Sequence, residues 1–294
     1  MSNKLSDVEA RIASVHELES VVSAMRGIAA ARSQEARSRL DGIRACADMI
    51  GAAIGDALML DEHGMQPAPA DAGPGVHVVI VICAEQGFVG TFNEHLIEAA
   101  AHLPIWGART CFVIGGRGAV VAGTHGLAVD WSAPMVAHAE EVAALASRIT
   151  EALYERLESG RATRVTLLHA VPQLSTAIDI VQKSLLPFDF TRFAVAARRQ
   201  APLVTLAPRR LLAQLAEEYV YAQLCEALML SFAAENEARM RAMIAARTNV
   251  HDTLDQLTGD FRRLRQEEIT AEIVELSAGS PAVDAVRRKP RAPS

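Results

Sequence analysis

Two glycine-containing turns carry the residue types that bind phosphate groups. The first, EQGFVGTF at 85–92, lies between an apolar run and a helical pattern, where a phosphate-binding loop would lie. The second, GGRGAVV at 115–121, has a similar position. Neither turn contains GxGxxG or GxxxxGKS/T, and neither has a lysine followed by serine or threonine. We interpret both as tight strand-to-helix turns, and we predict no nucleotide or other cofactor.

The histidines and cysteines form no recognisable catalytic or metal-binding pattern. The 9 histidines are spread singly. His95 and His102 are spaced to share one helix face, but no carboxylate or cysteine completes a metal site with them. There is no CxxC pair and no GxSxG motif, so neither a metal site nor a nucleophile is predicted. Of the four scattered cysteines, Cys83 and Cys111 lie in apolar runs and are predicted to be reduced core thiols, and the other two are Cys46 and Cys225.

Composition and charge exclude several classes of protein. Hydrophobic residues make up 50% of the 294 residues but aromatic residues only 4%, which favours long helices over an aromatic-rich sheet core. The net charge of −6 gives no basic surface for nucleic acid. The polar N-terminus predicts no signal peptide, and no apolar run reaches the ~20 residues of a membrane-spanning helix. Any attachment to a membrane is therefore expected to go through partner proteins.

Residues 1–60 are predicted to form one long helix with a narrow apolar stripe. From Leu5 the apolar residues recur at steps of 3, 4 and 3, and the stripe resumes after a slip near Leu18. A repeat of 3.5 residues is typical of a coiled coil rather than of a globular helix face. The stripe includes Ile12, Val15, Val22 and Met25.

A second long helix is predicted over 208–280, because Pro208 is well placed to begin a helix and no proline follows before Pro281. Its apolar stripe again has coiled-coil spacing. The stretch LTGDFRRLRQEEITAEIVEL at 257–276 surrounds that stripe with many charged residues. Antiparallel pairing of the two end helices is the simplest way to bury both stripes. The stripe of the second helix consists of Val250, Leu254, Leu257, Phe261 and Leu264.

The middle of the chain, 76–207, is predicted to be an open α/β domain. Continuous β-branched runs at 76–83, 109–115 and 164–171 are typical of strands buried on both faces, and 175–187 adds a further strand. Helical patterns alternate with these strands. The proline- and glycine-rich segment 61–75 is predicted to be a linker, and the basic segment 281–294 a disordered tail. The fold class is therefore α/β, with a long antiparallel coiled coil of the two end helices.

The end helices resemble the gamma subunit of F-type ATP synthases. ARIASVHELESVVSAMRGIAAAR at 10–32 is similar to the family's N-terminal pattern. AAENEARMRAMIAARTN at 233–249 and LRQEEITAEIVELSAGSPAV at 264–283 resemble its two C-terminal blocks. VVIVICAEQGFVGTFN at 78–93 is similar to the family's first strand and glycine turn. The resemblance covers nearly the whole chain.

The resemblance implies a central-stalk rotor that couples ion flow through a membrane sector to ATP synthesis or hydrolysis. The implied partners are the alpha and beta subunits of a catalytic ring, the epsilon subunit and the membrane c-ring. The implied location is peripheral, at the cytoplasmic face of the plasma membrane. The implied nucleotide sites lie in the ring, so no active site is expected in this chain. The implied contacts with a beta subunit are Arg265, Gln266, Met25, Arg239 and Glu272.

The chain also departs from the family's pattern. The family has lysines around the first AM pair, whereas this chain has ESVVSAMRGIAAARSQ, and Ile244 stands where a lysine is expected. The basic tail extends past the family's usual end. These departures indicate a divergent branch. They leave open the coupling ion, the main direction of the cycle, the role of the tail, and whether the complex is a main or an alternative ATPase.

Two other classes of function remain open at this point. A free-standing coiled-coil scaffold would form a stable homodimer without ring subunits. A small-ligand α/β enzyme would bind its ligand at the topological switch point of the sheet, and a nucleotide would then stabilise the domain.

Overall fold

The computed structural model describes residues 2–60, 75–105, 107–158, 162–173, 178–195 and 202–287. The chain divides into two compact units. The paired-helix unit consists of Met1–Met25 and Met243–Ser294, and the central unit is Arg26–Ala242. Helix α1, Ser2–Leu58, and helix α5, Pro208–Arg287, each contribute to both units.

The central unit contains a five-stranded mixed sheet in the order β3-β2-β1-β4-β5. Strands β1 to β4 are parallel, and β5 is antiparallel to β4. This confirms the predicted open α/β sheet. The strands are β1 at His77–Ile82, β2 at Arg109–Ile114, β3 at Trp131–Ala133, β4 at Arg164–Val171 and β5 at Asp179–Leu186.

Helices cover both faces of this sheet. They are α2 at Phe92–Ala101, α3 at Gly116–Thr124 and α4 at Val142–Glu158, together with parts of α1 and α5. Alternate residues of β1 point to opposite faces. Val78 and Ile80 belong to a core with α1, α4 and α5, whereas Val79 and Val81 belong to a core with α2 and α3. Every residue of β1 is buried, as its continuous apolar sequence predicts.

Within the paired-helix unit, α1 and α5 run antiparallel. Lys4 and Leu5 near the start of α1 line the same small cavity as Leu264 and Glu268 of α5. Further along α1, the Glu19 carboxylate lies 4.0 Å from the Arg247 guanidinium. Residue numbers therefore rise on one helix as they fall on the other, which confirms the predicted antiparallel arrangement.

The apolar stripes are the least exposed positions on both helices of this unit. Val22, Val250 and Leu254 are buried. The remaining stripe residues are half-buried, and most of the positions between them are exposed: Ile12, Val15, Met25, Leu257, Phe261 and Leu264. The 3–4 spacing is that of a coiled coil, in which a narrow apolar strip suffices to pair two helices.

Within the central unit, α1 and α5 are joined by polar contacts as well as by apolar packing. The Arg44 side chain lies 2.9 Å from a carboxylate oxygen of Glu226. The Arg37 guanidinium pairs with the buried Glu237 carboxylate, which also accepts a hydrogen bond of 3.3 Å from the Ser33 hydroxyl. These contacts fix the register of the two helices beside the sheet.

Helix α5 is longer than predicted at its C-terminal end, since it continues past residue 280 to Arg287. The predicted linker 61–75, except Gly75, and residues 288–294 of the predicted tail lie outside the described residues. Among the described helices, none is long and apolar enough to cross a membrane.

All four cysteines are free thiols. Cys46 on α1 is exposed, whereas Cys83, Cys111 and Cys225 are buried. Burial raises the pKa of each of these three thiols, and that of Cys111 reaches about 11. The prediction of reduced core thiols at Cys83 and Cys111 is confirmed.

Candidate functional site

Residues 269–277 of α5 form a bare segment of helix. Every residue from Ile269 to Ser277 is exposed, and these residues follow Glu268, which lines a small cavity together with Lys4 and Leu5 of α1. A helix with no packed face is marginal in water, because most helical stability in proteins comes from tertiary contacts. The segment nevertheless exposes four large apolar side chains: Ile269 at 47%, Ile273 at 59%, Val274 at 60% and Leu276 at 76%. Exposed apolar side chains that lie close together make this segment a candidate contact surface.

Arg265 and Gln266 lie just before this bare segment, and both are exposed. In the described part of the chain neither side chain has a hydrogen-bond or ion-pair partner. The neighbouring Arg263 differs, since its guanidinium lies 3.2 Å from the Asp260 carboxylate. A guanidinium has five N–H donors and an amide has both donors and an acceptor, so this pair is equipped to bind a polar loop of a partner.

The other two predicted contacts in the paired-helix unit differ in exposure. Glu272 is exposed on the bare segment. It lies about two helical turns after Arg265 and therefore on nearly the same face of the helix. Met25 is half-buried on α1, beside the apolar stripe. Glu19 of α1 lies next to Arg247 of α5. Because the helices are antiparallel, Met25 lies beside a part of α5 that comes well before Arg265 in the sequence. The structure thus groups Arg265, Gln266 and Glu272 and leaves Met25 apart from them.

Arg239 has a different environment from the one predicted for a partner contact. Its side chain is 6% exposed in the central unit, and its guanidinium lies 2.6 Å from the Glu235 carboxylate. The same guanidinium donates to the carbonyl oxygens of Gln86 and Gly87 at 3.4 Å. Because this side chain is buried and bonded within the central unit, we expect Arg239 to tie α5 to the turn after β1 rather than to contact a partner.

The carboxylate that pairs with Arg239 is also enclosed. Burial raises the pKa of Glu235, and this effect outweighs the opposing attraction of the Arg239 guanidinium. The backbone N–H of Glu85 also donates to this carboxylate and favours its charged form. The pair and the turn therefore form one connected polar network beneath the sheet edge.

The side chains of Glu85 and Asn93 bond to backbone N–H groups around the turn at 84–91. The Glu85 carboxylate accepts hydrogen bonds of 2.8 Å from the backbone N–H groups of Gly116, at the start of α3, and of Met135. The Asn93 side chain accepts a hydrogen bond of 2.8 Å from the N–H of Ala84. A helix N-terminus is where a phosphate would bind, and here a carboxylate of the chain itself occupies that position.

Gly115 shows why glycine is required in the second turn. Its φ of +102° lies in the left-handed region, and a Cβ atom would lie 2.6 Å from the carbonyl oxygen of Cys83. The GGRGAVV segment is therefore explained by close packing of α3 on β1. Together with the position of Glu85, this accounts for the second turn by packing within the chain.

The histidines are dispersed in the structure as they are in the sequence. His102 bonds the carbonyl of Glu98 through Nδ1 at 2.8 Å, and His77 contacts the Thr166 hydroxyl through Nε2 at 2.8 Å. No group of three or more metal-binding side chains occurs among the described residues. Sequence reasoning missed Glu85, because a lone glutamate before a glycine turn carries no pattern that predicts its partners.

Comparison with a family model identifies the protein family of this chain. The model described as ATP synthase matches residues 4–283 of the chain. Curated relatives that carry the name ATP synthase gamma chain match along 95% of it. The chain belongs to the ATP synthase gamma family. The resemblance in the end helices and in the first strand and turn is confirmed.

The gamma-family relatives are similar in length to this chain. The gamma chain of Fuscovulum blasticum is 27% identical over 297 residues, which cover 95% of this chain and 99% of the relative. The gamma chain of Ruegeria pomeroyi is 29% identical over 300 residues with the same coverage. Identity below 30% along the full length agrees with a divergent member.

Solved structures show the same fold. A chain of the Euglena gracilis mitochondrial ATP synthase, in a structure of OSCP, F1 and the c-ring, matches with a TM-score of 0.66 at 12% identity and covers 100% of this chain. A chain of the Tetrahymena thermophila ATP synthase central stalk and c-ring matches with a TM-score of 0.55 at 19% identity and covers 77% of this chain.

In this gamma-family chain Ile244, which replaces an expected lysine, is 49% exposed on α5.

Proposed function

We propose that this chain is the central-stalk rotor, or gamma, subunit of an F-type ATP synthase. It couples ion flow through the membrane sector to ATP synthesis or hydrolysis in a ring of alpha and beta subunits. Its family membership and the likeness of its fold to central-stalk chains support this function. The observation that carries it is the bare segment of α5, where apolar side chains are exposed on a helix that no other described part of the chain covers.

Catalysis then belongs to the alpha and beta ring. The turn after β1 supports this assignment, because the N–H of Gly116 at the start of α3 is already bonded to the Glu85 carboxylate, and those of Arg117 and Gly118 are bonded to the carbonyl oxygens of Glu85 and Ala84. A rotating helix must contact successive ring subunits without binding any one of them permanently. A surface of charged side chains with scattered apolar residues suits that requirement better than one large apolar patch.

The remaining partners and the location follow from the same role. The chain is part of a membrane-associated complex, with the epsilon subunit and the c-ring as further partners. We place it peripherally at the cytoplasmic face of the plasma membrane, in line with its bacterial relatives. The contacts with a beta subunit that we retain are Arg265, Gln266, Glu272 and Met25, and Arg239 acts inside the chain.

The decisive experiment removes the unpartnered polar side chains before the bare segment. We expect Arg265→Ala with Gln266→Ala to lower ATP hydrolysis by the reconstituted alpha–beta–gamma complex by about tenfold. A partner loop would lose its hydrogen bonds at particular rotor angles, at about 1–3 kcal/mol for each buried group left unpaired. Turnover should be measured at saturating ATP, together with assembly by gel filtration.

Arg209→Ala with Gln214→Ala is the matched control, because it removes an exposed arginine and an exposed glutamine from α5 within the central unit. This control should hydrolyse ATP like the unmodified complex. Equal turnover of both double variants would contradict the proposed contact. Failure of the chain to assemble with alpha and beta subunits at all would contradict the rotor function itself.

A further inference from the structure

The central unit contains an open apolar pocket, separate from the bare segment of α5 on which the proposed rotor function rests. Its volume is about 300 Å³, which lies at the lower end of the range for pockets that bind small molecules. The pocket lies between α4, the segment after β5 and the first turns of α5. Leu153 and Val220 are buried at its floor, while Ala213 and Glu217 are exposed at its mouth.

The aromatic side chains that line the pocket pack against further aromatic rings outside it. Phe188 and Phe190 line the pocket with ring centroids 4.7 Å apart. Phe188 stacks on Phe193 at 5.7 Å and meets the edge of Tyr219 at 5.9 Å. Four aromatic rings in one cluster are notable in a chain with only 4% aromatic residues. Because these rings support one another, the wall is formed before any ligand arrives, and binding need not order it.

The mouth of the pocket is acidic. Glu217 lines it directly, and Glu218 is the next residue of α5. Burial together with these two carboxylates raises the pKa of the Tyr154 hydroxyl, which also lines the pocket, to about 12. The Tyr154 hydroxyl is therefore neutral at physiological pH. The lining offers apolar surface at depth, with a phenol and carboxylate charge at the entrance.

We propose that this pocket binds a small cationic amphiphile, with its apolar part against Leu153, Val220 and Phe188 and its ammonium group beside Glu217. An ammonium group at the mouth keeps its contact with water and gains the attraction of the carboxylate. An anionic amphiphile would meet repulsion at the same place. The chemical class that fits is thus a short alkylamine or arylalkylamine.

The test uses the full chain and three probes that share an eight-carbon tail: octylamine, octanol and octanoate. Binding is measured at pH 7 by isothermal titration calorimetry. We expect octylamine to bind at one site, about two- to fivefold more tightly than octanol, which is the range for an ion pair at an exposed carboxylate. Octanoate should bind more weakly than octanol. Octylamine binding no tighter than octanol, or octanoate binding the tightest, would overturn the proposal.

Variants of the lining residues show whether the pocket is the site. Glu217→Gln should bring octylamine down to the affinity of octanol, while Glu98→Gln, which removes an exposed carboxylate from α2, should not change it. Ala216→Phe fills the pocket and should weaken all binding by at least about tenfold. Ala213→Phe at the exposed mouth serves the same purpose if Ala216→Phe fails to fold by circular dichroism. A folded filling variant that binds octylamine as tightly as the unmodified chain would disprove the assignment.

The outcome is independent of the rotor function. Loss of amine binding in the filling variants with unchanged assembly with alpha and beta subunits would support the pocket proposal alone. Absence of amine binding in a chain that assembles normally would overturn the pocket proposal and leave the rotor function standing.

Discussion

Two stretches of α5 reverse the usual distribution of polar and apolar residues. In the central unit, residues 227–239 are all buried and include Glu235, Asn236 and Arg239. In the paired-helix unit, residues 269–277 are all exposed and include Ile273 and Leu276. One stretch buries charge and the other exposes apolar side chains, although both belong to a single helix.

The difference shows where each stretch finds its partners. The buried polar side chains of residues 227–239 are bonded within the chain: the Ser231 hydroxyl accepts from the N–H of Ala170 at 3.1 Å, and Asn236 donates to the Phe232 carbonyl at 2.8 Å. Buried polar groups are tolerated only when they are bonded in this way. The exposed apolar groups of the other stretch have no such cover in the described residues, and the rotor function that we propose would cover them with another chain.

Removing the buried guanidinium is expected to have the largest effect on stability. Arg239→Met should lower the free energy of unfolding by about 3–5 kcal/mol, because it leaves the Glu235 carboxylate buried without its ion-pair partner. Urea denaturation followed by circular dichroism measures this loss. Glu235→Gln in the same chain should recover much of it. Unchanged stability of Arg239→Met would remove the contrast between the two stretches.

The same variant should also respond to pH in a defined direction. The pKa of Glu235 is already raised by burial, and loss of the guanidinium raises it further. A carboxyl group whose pKa is higher in the folded state stabilises the fold at low pH, and that stability is lost as pH rises through the folded pKa. Arg239→Met should therefore be relatively more stable at pH 5 than at pH 8.

Truncation in the apolar stripe tests the pairing of α1 and α5 in the paired-helix unit. Leu254 is 7% exposed, so Leu254→Ala should cost about 2–3 kcal/mol. Ile244→Ala on the same helix, at a side chain that is 49% exposed, should cost no more than about 0.5 kcal/mol. Urea unfolding and amide hydrogen exchange along 243–268 measure both. Equal costs would mean that the stripe is not a packed seam.

Acidification should weaken the central unit through its buried histidines. Burial, with the nearby Arg164 and Arg109 guanidinium groups, lowers the pKa of His77, and burial lowers that of His169. A histidine with a lowered folded pKa stabilises the fold above the unfolded value near 6.5, and this contribution is lost as pH falls. His77→Gln should reduce the loss in free energy of unfolding between pH 7 and pH 5. This reduction should be smaller than the free-energy cost of Leu254→Ala. A steeper loss in the variant would contradict the assignment.

The smallest effect on stability is expected at the exposed pair. Arg265→Ala with Gln266→Ala should change the free energy of unfolding of the isolated chain by no more than about 0.5 kcal/mol, because neither side chain has a partner among the described residues. Thermal and urea unfolding of the isolated chain measure this. A loss above about 1 kcal/mol would show that these residues act within the chain, as Arg239 does.

The strands with the strongest local signal were predictable from sequence. The continuous apolar runs placed β1, β2 and β4 to within one residue at each end. Strand β3 was missed, because Trp131–Ala133 is only three residues long and has no periodicity. Helix α4 begins at Val142 after a short 3₁₀ turn at Ala139–Glu141, and the helical pattern in the sequence does not separate the two, since both conformations share the same local pattern.

The candidate site was only partly predictable. Arg265 and Gln266 came from the resemblance, and their exposure agrees with the charged pattern around them. The internal role of Arg239 could not be predicted, because its carbonyl partners Gln86 and Gly87 are more than 150 positions away in sequence. Local periodicity gives the face of a helix but does not show which loop will pack against it.

The contrast between one accessible and three enclosed thiols has a practical consequence. The thiolate is the form that reacts with maleimides, and a raised pKa together with burial keeps Cys83, Cys111 and Cys225 in the unreactive protonated form. Cys46 is the exposed thiol of the four. One equivalent of a fluorescent maleimide should therefore label α1 at a single position in the unmodified sequence. A fluorophore there would let the angular motion of the assembled complex be followed one molecule at a time, without an engineered attachment site.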